Sequence, residues 1–171
     1  MSDLSSAPVP GLRAEDHVRG PVDAPLVIVY ADFECPFCAA AEVRLRRARL
    51  RTAFRHFPVR SSHPRAWPAA CAAEAAAVQG RFWEMHDLLF ADQGRLEDPH
   101  LWARARTLGL DLERFDADQR SDSIHARVRA DFESGVRGGV VTTPTLVANG
   151  SLHTGEIDVH LLEEPAGGEP R

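Results

Sequence analysis

The pattern of apolar and polar residues predicts a strand, a helix and a second strand near the start of the chain. Residues 26–31 (Leu-Val-Ile-Val-Tyr-Ala) are apolar and rich in β-branched side chains, which is typical of a buried strand in a parallel sheet. Residues 36 to about 47 are rich in Ala, Leu, Glu and Arg, which favours a helix. Residues 50–57 alternate apolar and polar side chains, as a strand does, and Pro58 ends the run.

The middle of the chain, from residue 63 to about residue 137, shows helical patterns and no strong strand. Helices are predicted at 65–79, 81–92, 99–108, 112–120 and 124–136. Gly80 follows the first of these and is a natural helix stop. Asp111 is a natural N-cap before the fourth.

Strand character returns near the end of the chain. Residues 145–148 and 151–154 flank Asn149-Gly150, which is a strong signal for a two-residue hairpin turn. A short helix is predicted at 158–163. A parallel strand pair joined by a helix, followed by an antiparallel hairpin, indicates an α/β protein with a mixed sheet.

Composition excludes several classes of function. The 171 residues suit one domain, or one domain that carries an insertion. The net charge of −5 gives no general attraction to nucleic acid or to an anionic membrane, so we expect neither as a partner. All 20 basic residues are Arg, which excludes Lys-based catalysis. The Arg-rich run over residues 44–55 is interpreted as a solvated helix face that leads into a strand.

The location expected from the sequence is the cytoplasm. Residues 1–20 have no apolar stretch of the kind found in secretory signals, and no segment approaches the roughly 20 apolar residues that span a bilayer. Cytosolic thiols are kept mostly reduced.

Candidate chemistry is concentrated in Cys35-Pro36-Phe37-Cys38, between the first predicted strand and the first predicted helix. Pro36 falls at the first helical position, where its missing N–H costs nothing. Unpaired backbone N–H groups and the positive end of the helix dipole meet there, and both favour a thiolate on Cys35. Residues three apart on a helix face the same way, so Cys38 is within reach of a disulfide with Cys35.

Other interpretations of the cysteines and histidines remain open at this point. A C-x-x-C pair is also half of a zinc site, although Cys71 has no Cys or His beside it at ligand spacing. Cys71 lies in an Ala-rich helix and is interpreted as a small buried residue. His56, His63 and His86 are taken as structural rather than as groups that tune the thiolate.

Several motifs, in a fixed order, resemble the DsbA-like branch of the thioredoxin superfamily. They are residues 32–38 (Asp-Phe-Glu-Cys-Pro-Phe-Cys), 54–58 with His63-Pro64, 82–90, 140–145 (Val-Val-Thr-Thr-Pro-Thr) and Asn149-Gly150. The resemblance runs from about residue 20 to residue 155 and implies a thioredoxin-like α/β fold with an inserted α-helical subdomain. The implied organisation is a flexible N-terminus (1–19), a core (20–60 and 138–164), a helical insertion (61–137) and a flexible tail (165–171).

The resemblance also implies a function and a set of site residues. Cys35 and Cys38 would be catalytic, and Pro36 and Phe37 would form the loop between them. The proline that matches Pro144 is cis in such proteins and lies beside the cysteines, and Thr143 would present its backbone to an extended substrate. The implied activity is thiol–disulfide exchange on a disulfide- or dithiol-containing protein substrate. It needs a thiol or a reductase as electron donor, and no cofactor or metal.

One departure from the family and two alternative functions accompany this hypothesis. Many members of the superfamily have a buried carboxylate six residues before the nucleophile, where this chain has Val29. Asp32 and Glu34 are nearby but are expected to be exposed or at a sheet edge, so the proton acceptor for Cys38 is left open between water and Glu34. The alternatives are a redox-sensing or protein-binding module, and a glutathione-dependent isomerase or transferase.

Overall fold

A mixed five-stranded sheet organises the computed structural model, which describes residues 7–156 and 158–162. Its strands are β1 (His17–Arg19), β2 (Leu26–Ala31), β3 (Arg51–His56), β4 (Thr145–Ala148) and β5 (Ser151–Thr154). The strand order is β1-β3-β2-β4-β5. Strands β2 and β3 are parallel, and the other neighbouring pairs are antiparallel. The sheet therefore contains the parallel pair and the hairpin that the sequence predicts.

Helices supply the crossover of the parallel pair and a block between β3 and β4. They are α1 (Pro36–Leu45), α2 (Ala66–Val78), α3 (Phe82–Ala91), α4 (Asp98–Thr107), α5 (Leu112–Gln119) and α6 (Asp122–Arg137), followed by a short 3₁₀ helix at Val159–Leu162. Each predicted helix is present, with boundaries that differ by a few residues. Among the described residues, no helix is both long and apolar enough to cross a lipid bilayer.

The Ala-rich helix α2 is the centre of the helical block. It packs against α3, α5 and α6, and most of its residues are buried. A helix that is apolar on all sides is stable only when its neighbours surround it, and Ala side chains let those neighbours approach closely. Gly80 has a φ of +76°, a conformation that ends helices and suits glycine, so the predicted stop is confirmed.

Strand β1 is an element that the hydrophobic pattern did not predict. It pairs with β3 and lies within residues 1–19, the segment assigned to a flexible N-terminus. Three residues, His-Val-Arg, are too few to show a period, and their strand conformation depends on pairing with a distant partner. The predicted tail, residues 165–171, lies outside the described residues.

The prediction that the Arg-rich run is solvated is wrong at Arg55. Its side chain is 0% exposed and forms a bidentate ion pair with Asp16, through N–O distances of 2.9 and 2.8 Å. It also donates to the carbonyl oxygens of Pro10 and Gly11 and to the hydroxyl of Tyr30. The segment before β1 supplies Asp16 and the two carbonyl oxygens, and these contacts between distant parts of the chain have no local sequence signal.

Candidate active site

Cys35 is the N-cap residue of α1, with an extended backbone (φ −76°, ψ 119°), and Pro36 opens the helix. Strand β2 ends at Ala31, and a four-residue loop carries the chain from its end into the helix. The backbone N–H groups of Phe37 and Cys38 point toward Cys35 Sγ, as unpaired donors at a helix start do. The sulfur thus lies where the helix offers the most favourable position for negative charge.

The pKa of Cys35 is lowered to about 5, so this sulfur is a thiolate at neutral pH. The largest cause is a hydrogen bond from the Cys38 thiol. Burial opposes the shift, but hydrogen bonds with the Thr143 side chain and with the helix N–H groups add to the lowering.

Cys38 has the opposite character. It is 2% exposed, and burial raises its pKa above the ordinary range, with a further contribution from the hydrogen bond to Cys35. The backbone N–H of Asp32 lies 3.5 Å from Cys38 Sγ. The two cysteines, present as free thiols, therefore form one anion and one neutral donor that shields it.

Thr143 and Pro144 lie beside the cysteines, as the resemblance implies. The Thr143–Pro144 peptide bond is cis, which confirms that expectation. The carbonyl oxygen of Thr143 lies 3.5 Å from Cys35 Sγ and accepts from the thiol when it is protonated. The chain before β4 thus presents its backbone directly to the nucleophile.

An apolar groove of about 500 Å³ opens next to this pair of residues. Its lining comes from the start of α1, the turn before β4 and the segment after β5: Phe37, Ala40, Ala41, Arg44, Thr142, Thr143, Pro144, Leu146, Gly155, Glu156 and Val159. Phe37 is 73% exposed, and Pro36 is also exposed. The structure therefore brings all six predicted site residues to one place, although their roles stay predictions.

Asp32 corrects a sequence-based expectation, because it is buried rather than exposed. Its carboxylate accepts from the backbone N–H groups of Glu34 and Val59, both at 2.8 Å. It also lies 2.8 Å from Nδ1 of His63, which must donate because a carboxylate only accepts. Glu34 is half-buried, and its carboxylate accepts from the backbone N–H of Arg65 at 2.7 Å. Both carboxylates therefore hold the loop before Cys35.

Two residues of this neighbourhood were not assigned to the site from the sequence. His63 was taken as structural, yet it binds Asp32, and its pKa is raised. Burial lowers that pKa, but the hydrogen bond and the charge of Asp32 outweigh burial, and the Cys35 thiolate adds to the rise. Gln93 donates to the carbonyl oxygens of Phe33 and Cys35 at 2.8 and 2.9 Å. The His63-Pro64 motif was a usable signal for the first residue, whereas nothing in the pattern singles out Gln93.

Val29 of β2, where many members of the superfamily have a buried carboxylate, has apolar surroundings in the structure. Val29 is 4% exposed and belongs to the main apolar cluster. It cannot exchange a proton with Cys38. The Asp32 carboxylate, whose backbone N–H lies beside Cys38 Sγ, already accepts hydrogen bonds from three donors.

The remaining cysteine and two of the histidines have structural surroundings. Cys71 is 3% exposed, and burial raises its pKa to about 12, which confirms a small buried thiol. Burial lowers the pKa of His86 to about 4, so this ring is neutral. His56 Nε2 lies 2.7 Å from Glu74 Oε1, within the core.

A group of three side chains that could ligate a metal includes one residue of α1, one helical turn after Cys38. Within the described residues it consists of Glu42, His86 and Asp87. Arg19 and Arg46 form ion pairs with both carboxylates of this group. Two cations therefore already balance its two negative charges, and a metal ion would have to displace them.

Comparison with known proteins agrees with the fold. Residues 13–164 match the family described as thioredoxin. A thioredoxin-like oxidoreductase from Silicibacter pomeroyi superposes with a TM-score of 0.78 at 24% identity, over 88% of this chain and 89% of that one. Pseudomonas aeruginosa DsbA2 superposes with a TM-score of 0.68 at 26% identity, over 90% and 93%.

Sequence relatives at higher identity are much longer proteins. The Na(+)/H(+) antiporter NhaA 1 of Mycolicibacterium vanbaalenii is 46% identical over 95% of this chain and 29% of its own length. That of Salinispora arenicola is 44% identical over 86% of this chain and 24% of its own length. The chain thus spans less than a third of these curated relatives. With nearly all of its described residues matched by the family, the chain belongs to the thioredoxin family, in the DsbA-like form with inserted helices.

Proposed function

We propose that the chain is a thiol–disulfide oxidoreductase that cycles between the dithiol and the disulfide of Cys35 and Cys38. The observation that carries this proposal is the asymmetry of the pair: a sulfur with a pKa of about 5 at a helix start, beside a buried thiol whose pKa is raised. A nucleophile must be a thiolate, and a resolving thiol must wait until the first bond has formed.

The reaction has two exchange steps. The Cys35 thiolate attacks one sulfur of a substrate disulfide, forms a mixed disulfide and releases the other substrate sulfur as a thiolate. Cys38 then loses its proton and attacks Cys35 Sγ, which breaks the mixed disulfide and releases the second substrate sulfur. Two electrons pass from the dithiol to the substrate, and a thiol or a reductase restores the dithiol. The reverse sequence oxidises a substrate dithiol.

The mixed disulfide itself makes Cys38 easier to deprotonate. Two of the causes that raise the pKa of Cys38 are its hydrogen bond to Cys35 and the charge of that thiolate. Both disappear when Cys35 becomes part of a mixed disulfide. The departing substrate thiolate is then a suitable proton acceptor for Cys38. A buried carboxylate at the position of Val29 is therefore not needed.

The groove beside Thr143 and Pro144 supports a protein substrate. It is mostly apolar, and Thr143, which lines it, lies with its carbonyl oxygen 3.5 Å from Cys35 Sγ, so a segment that carries a disulfide has a surface beside the nucleophile on which to lie. Reductase or general exchange activity in the cytoplasm is part of the proposal, because cytosolic thiol pools keep such dithiols reduced. The direction is set by the reduction potential relative to the compartment.

Insulin reduction by dithiothreitol tests the proposal with three proteins: wild type, Cys35→Ser and Cys38→Ser. We expect the wild type to accelerate the reaction and Cys35→Ser to lose the acceleration. Cys38→Ser should accumulate mixed disulfides that mass spectrometry detects. Equal turnover by all three proteins would contradict the proposal.

A redox-sensing module is the second candidate, and the antiporter relatives favour it. A domain that shares 46% identity with part of a transport protein could report the thiol status of its surroundings to such a partner. Reversible oxidation of Cys35 and Cys38 by glutathione disulfide, without measurable insulin turnover, would favour this candidate. A glutathione-dependent enzyme, the third possibility, would retain full turnover in Cys38→Ser.

A further inference from the structure

The loop that leads into Cys35 is held from outside by the helical block. Gln93 lies just after α3, and its side-chain amide reaches across to this loop. Its Nε2 donates to the carbonyl oxygen of Phe33 at 2.8 Å and to that of Cys35 at 2.9 Å. One NH₂ group thus uses both of its hydrogens on two backbone acceptors, one of which belongs to the nucleophile.

The Cys35 carbonyl is a sensitive point of the site. Cys35 is the N-cap, so its φ and ψ set where Sγ lies relative to the first N–H groups of α1. The same carbonyl oxygen accepts from the backbone N–H of Cys38 at 3.1 Å, the first hydrogen bond of the helix. A donor fixed to this oxygen therefore restricts the orientation of the peptide group that follows the nucleophile.

We propose that Gln93 is a positioning residue that holds Cys35 in the geometry that stabilises its thiolate. This inference rests on the proposed function for its biological meaning, although its physical content concerns only Cys35 Sγ. The amide is neutral, so it contributes no charge to the site and acts through the backbone. Without it, the loop gains freedom, and Sγ spends less time against the helix N–H groups and Thr143.

The contact also makes the helical block part of the active site. Residues 61–137, the predicted insertion, supply Gln93 as well as His63 and the backbone N–H of Arg65, all of which bind residues of the loop. Of these three, Gln93 reaches the backbone of Cys35 itself.

Four proteins test this role: wild type, Gln93→Met, Gln93→Glu and Gln79→Met. Met keeps an unbranched stem but has no donor, and Glu places carboxylate oxygens against two carbonyl oxygens. Gln79 is the matched control, because it is also half-buried and also bonds to backbone groups, the carbonyl oxygen and N–H of Asp111, far from the cysteines. The measurement is the pH profile of iodoacetamide alkylation of the reduced protein, with the Cys35 peptide quantified by mass spectrometry.

We expect the alkylation midpoint of Cys35 to rise by about one pH unit in Gln93→Met, which corresponds to a tenfold loss of thiolate at low pH. It should rise further in Gln93→Glu, where a negative charge is added, and should not move in Gln79→Met. A thermal melt of each variant verifies that the protein is folded under the conditions of the titration. A shift in the alkylation midpoint then reports on the pKa of Cys35 and not on unfolding.

A midpoint in both Gln93 variants that equals that of Gln79→Met would overturn the inference. The outcome is independent of the insulin assay. If the wild type titrates low but does not reduce insulin, the proposed function fails while the Gln93 comparison still stands. If the wild type reduces insulin and the Gln93 variants titrate like the control, only the positioning role fails.

Discussion

Cys35 and Cys38 differ in pKa in opposite directions although they lie one helical turn apart. Cys35 receives hydrogen bonds from the helix start and from Cys38, whereas Cys38 is enclosed by apolar neighbours and acts as a donor. Each shift strengthens the other, because an anion beside a buried thiol discourages a second anion. The pair therefore titrates as a coupled unit in which a single thiolate is available over a wide range of pH.

His63 provides a pH-dependent contribution to stability. Its pKa in the folded protein is raised, with the hydrogen bond and charge of Asp32 outweighing the effect of burial. Because the pKa of His63 is higher in the folded state, protonated His63 stabilises the fold. This stabilisation is complete at pH values below the pKa of about 6.5 in the unfolded state, and it is lost as the pH rises through the pKa in the folded state. His63→Asn retains a donor to Asp32 but cannot become charged.

We expect the wild type to be more stable than His63→Asn at pH 5.5, and this difference to shrink toward pH 9. Urea denaturation at both pH values measures it, with the protein oxidised so that Cys35 does not titrate. A difference in stability that is constant across this range, or that grows with pH, would show that the ion pair of His63 with Asp32 does not form.

Sequence reasoning succeeded for the site wherever the chemistry is local. The C-x-x-C motif, the helix that starts at Pro36 and the cis bond before Pro144 all follow from short stretches of sequence or from the motifs of a family. Asp32 was expected to be exposed or at a sheet edge, because its burial depends on Val59 and His63, which lie 27 and 31 residues away in the chain. Gln93 has no signal for the same reason, since its partners are backbone carbonyls of a remote loop.

At the scale of elements, composition, helix stops and the hydrophobic period together predicted the helices. Composition indicated α1 and the Ala-rich α2, which is buried on nearly all sides, and an amphipathic pattern indicated α3. Strand β1 was not predicted, because its conformation comes from pairing with β3 rather than from its own residues. The structure of the segment before β1 was also not predicted, and this segment places Asp16 against Arg55 of the interior strand β3. Tertiary contacts decided the structure of these two stretches.

The buried ion pair between Arg55 and Asp16 is the contact that fixes this segment to the sheet. Hydrogen bonds from Arg55 and Arg13 outweigh the effect of burial and lower the pKa of Asp16 to about 2. Arg55→Met removes one of the two arginines that bind the buried Asp16 carboxylate and also the donor to the carbonyl oxygens of Pro10 and Gly11, so we expect a loss of about 3–5 kcal/mol in the free energy of unfolding.

Arg95→Met is the matched control, because Arg95 forms an exposed pair with Asp92 at 2.7 Å. Loss of an exposed pair should cost less than about 1 kcal/mol. Urea denaturation of the two variants at pH 7 gives the comparison. Similar losses in both would show that the Arg55 pair contributes no more than a surface pair.

For the whole molecule, the apolar core joins the sheet to the helical block. One cluster of buried side chains contains Val27 of β2, Cys38 of α1, Cys71 of α2 and Phe115 of α5. Polar contacts cross the same boundary, since Glu74 of α2 accepts from the rings of two residues in the sheet. The sequence-based division into a core and an insertion therefore describes topology, and these contacts lead us to expect a single cooperative unit.

Cys38 and Cys71 allow this expectation to be tested with one reagent, because both thiols are buried, at 2% and 3% exposure, one in the core and one in the helical block. In a Cys35→Ser background, pulse labelling along a urea gradient should give one midpoint for both thiols. Phe115→Ala, which empties a fully buried site in α5, should lower the free energy of unfolding by about 3–5 kcal/mol and move both midpoints together. If Cys71 became reactive at lower urea than Cys38, the helical block would unfold on its own, and its hold on the redox loop through Gln93 would be lost before the sheet opened.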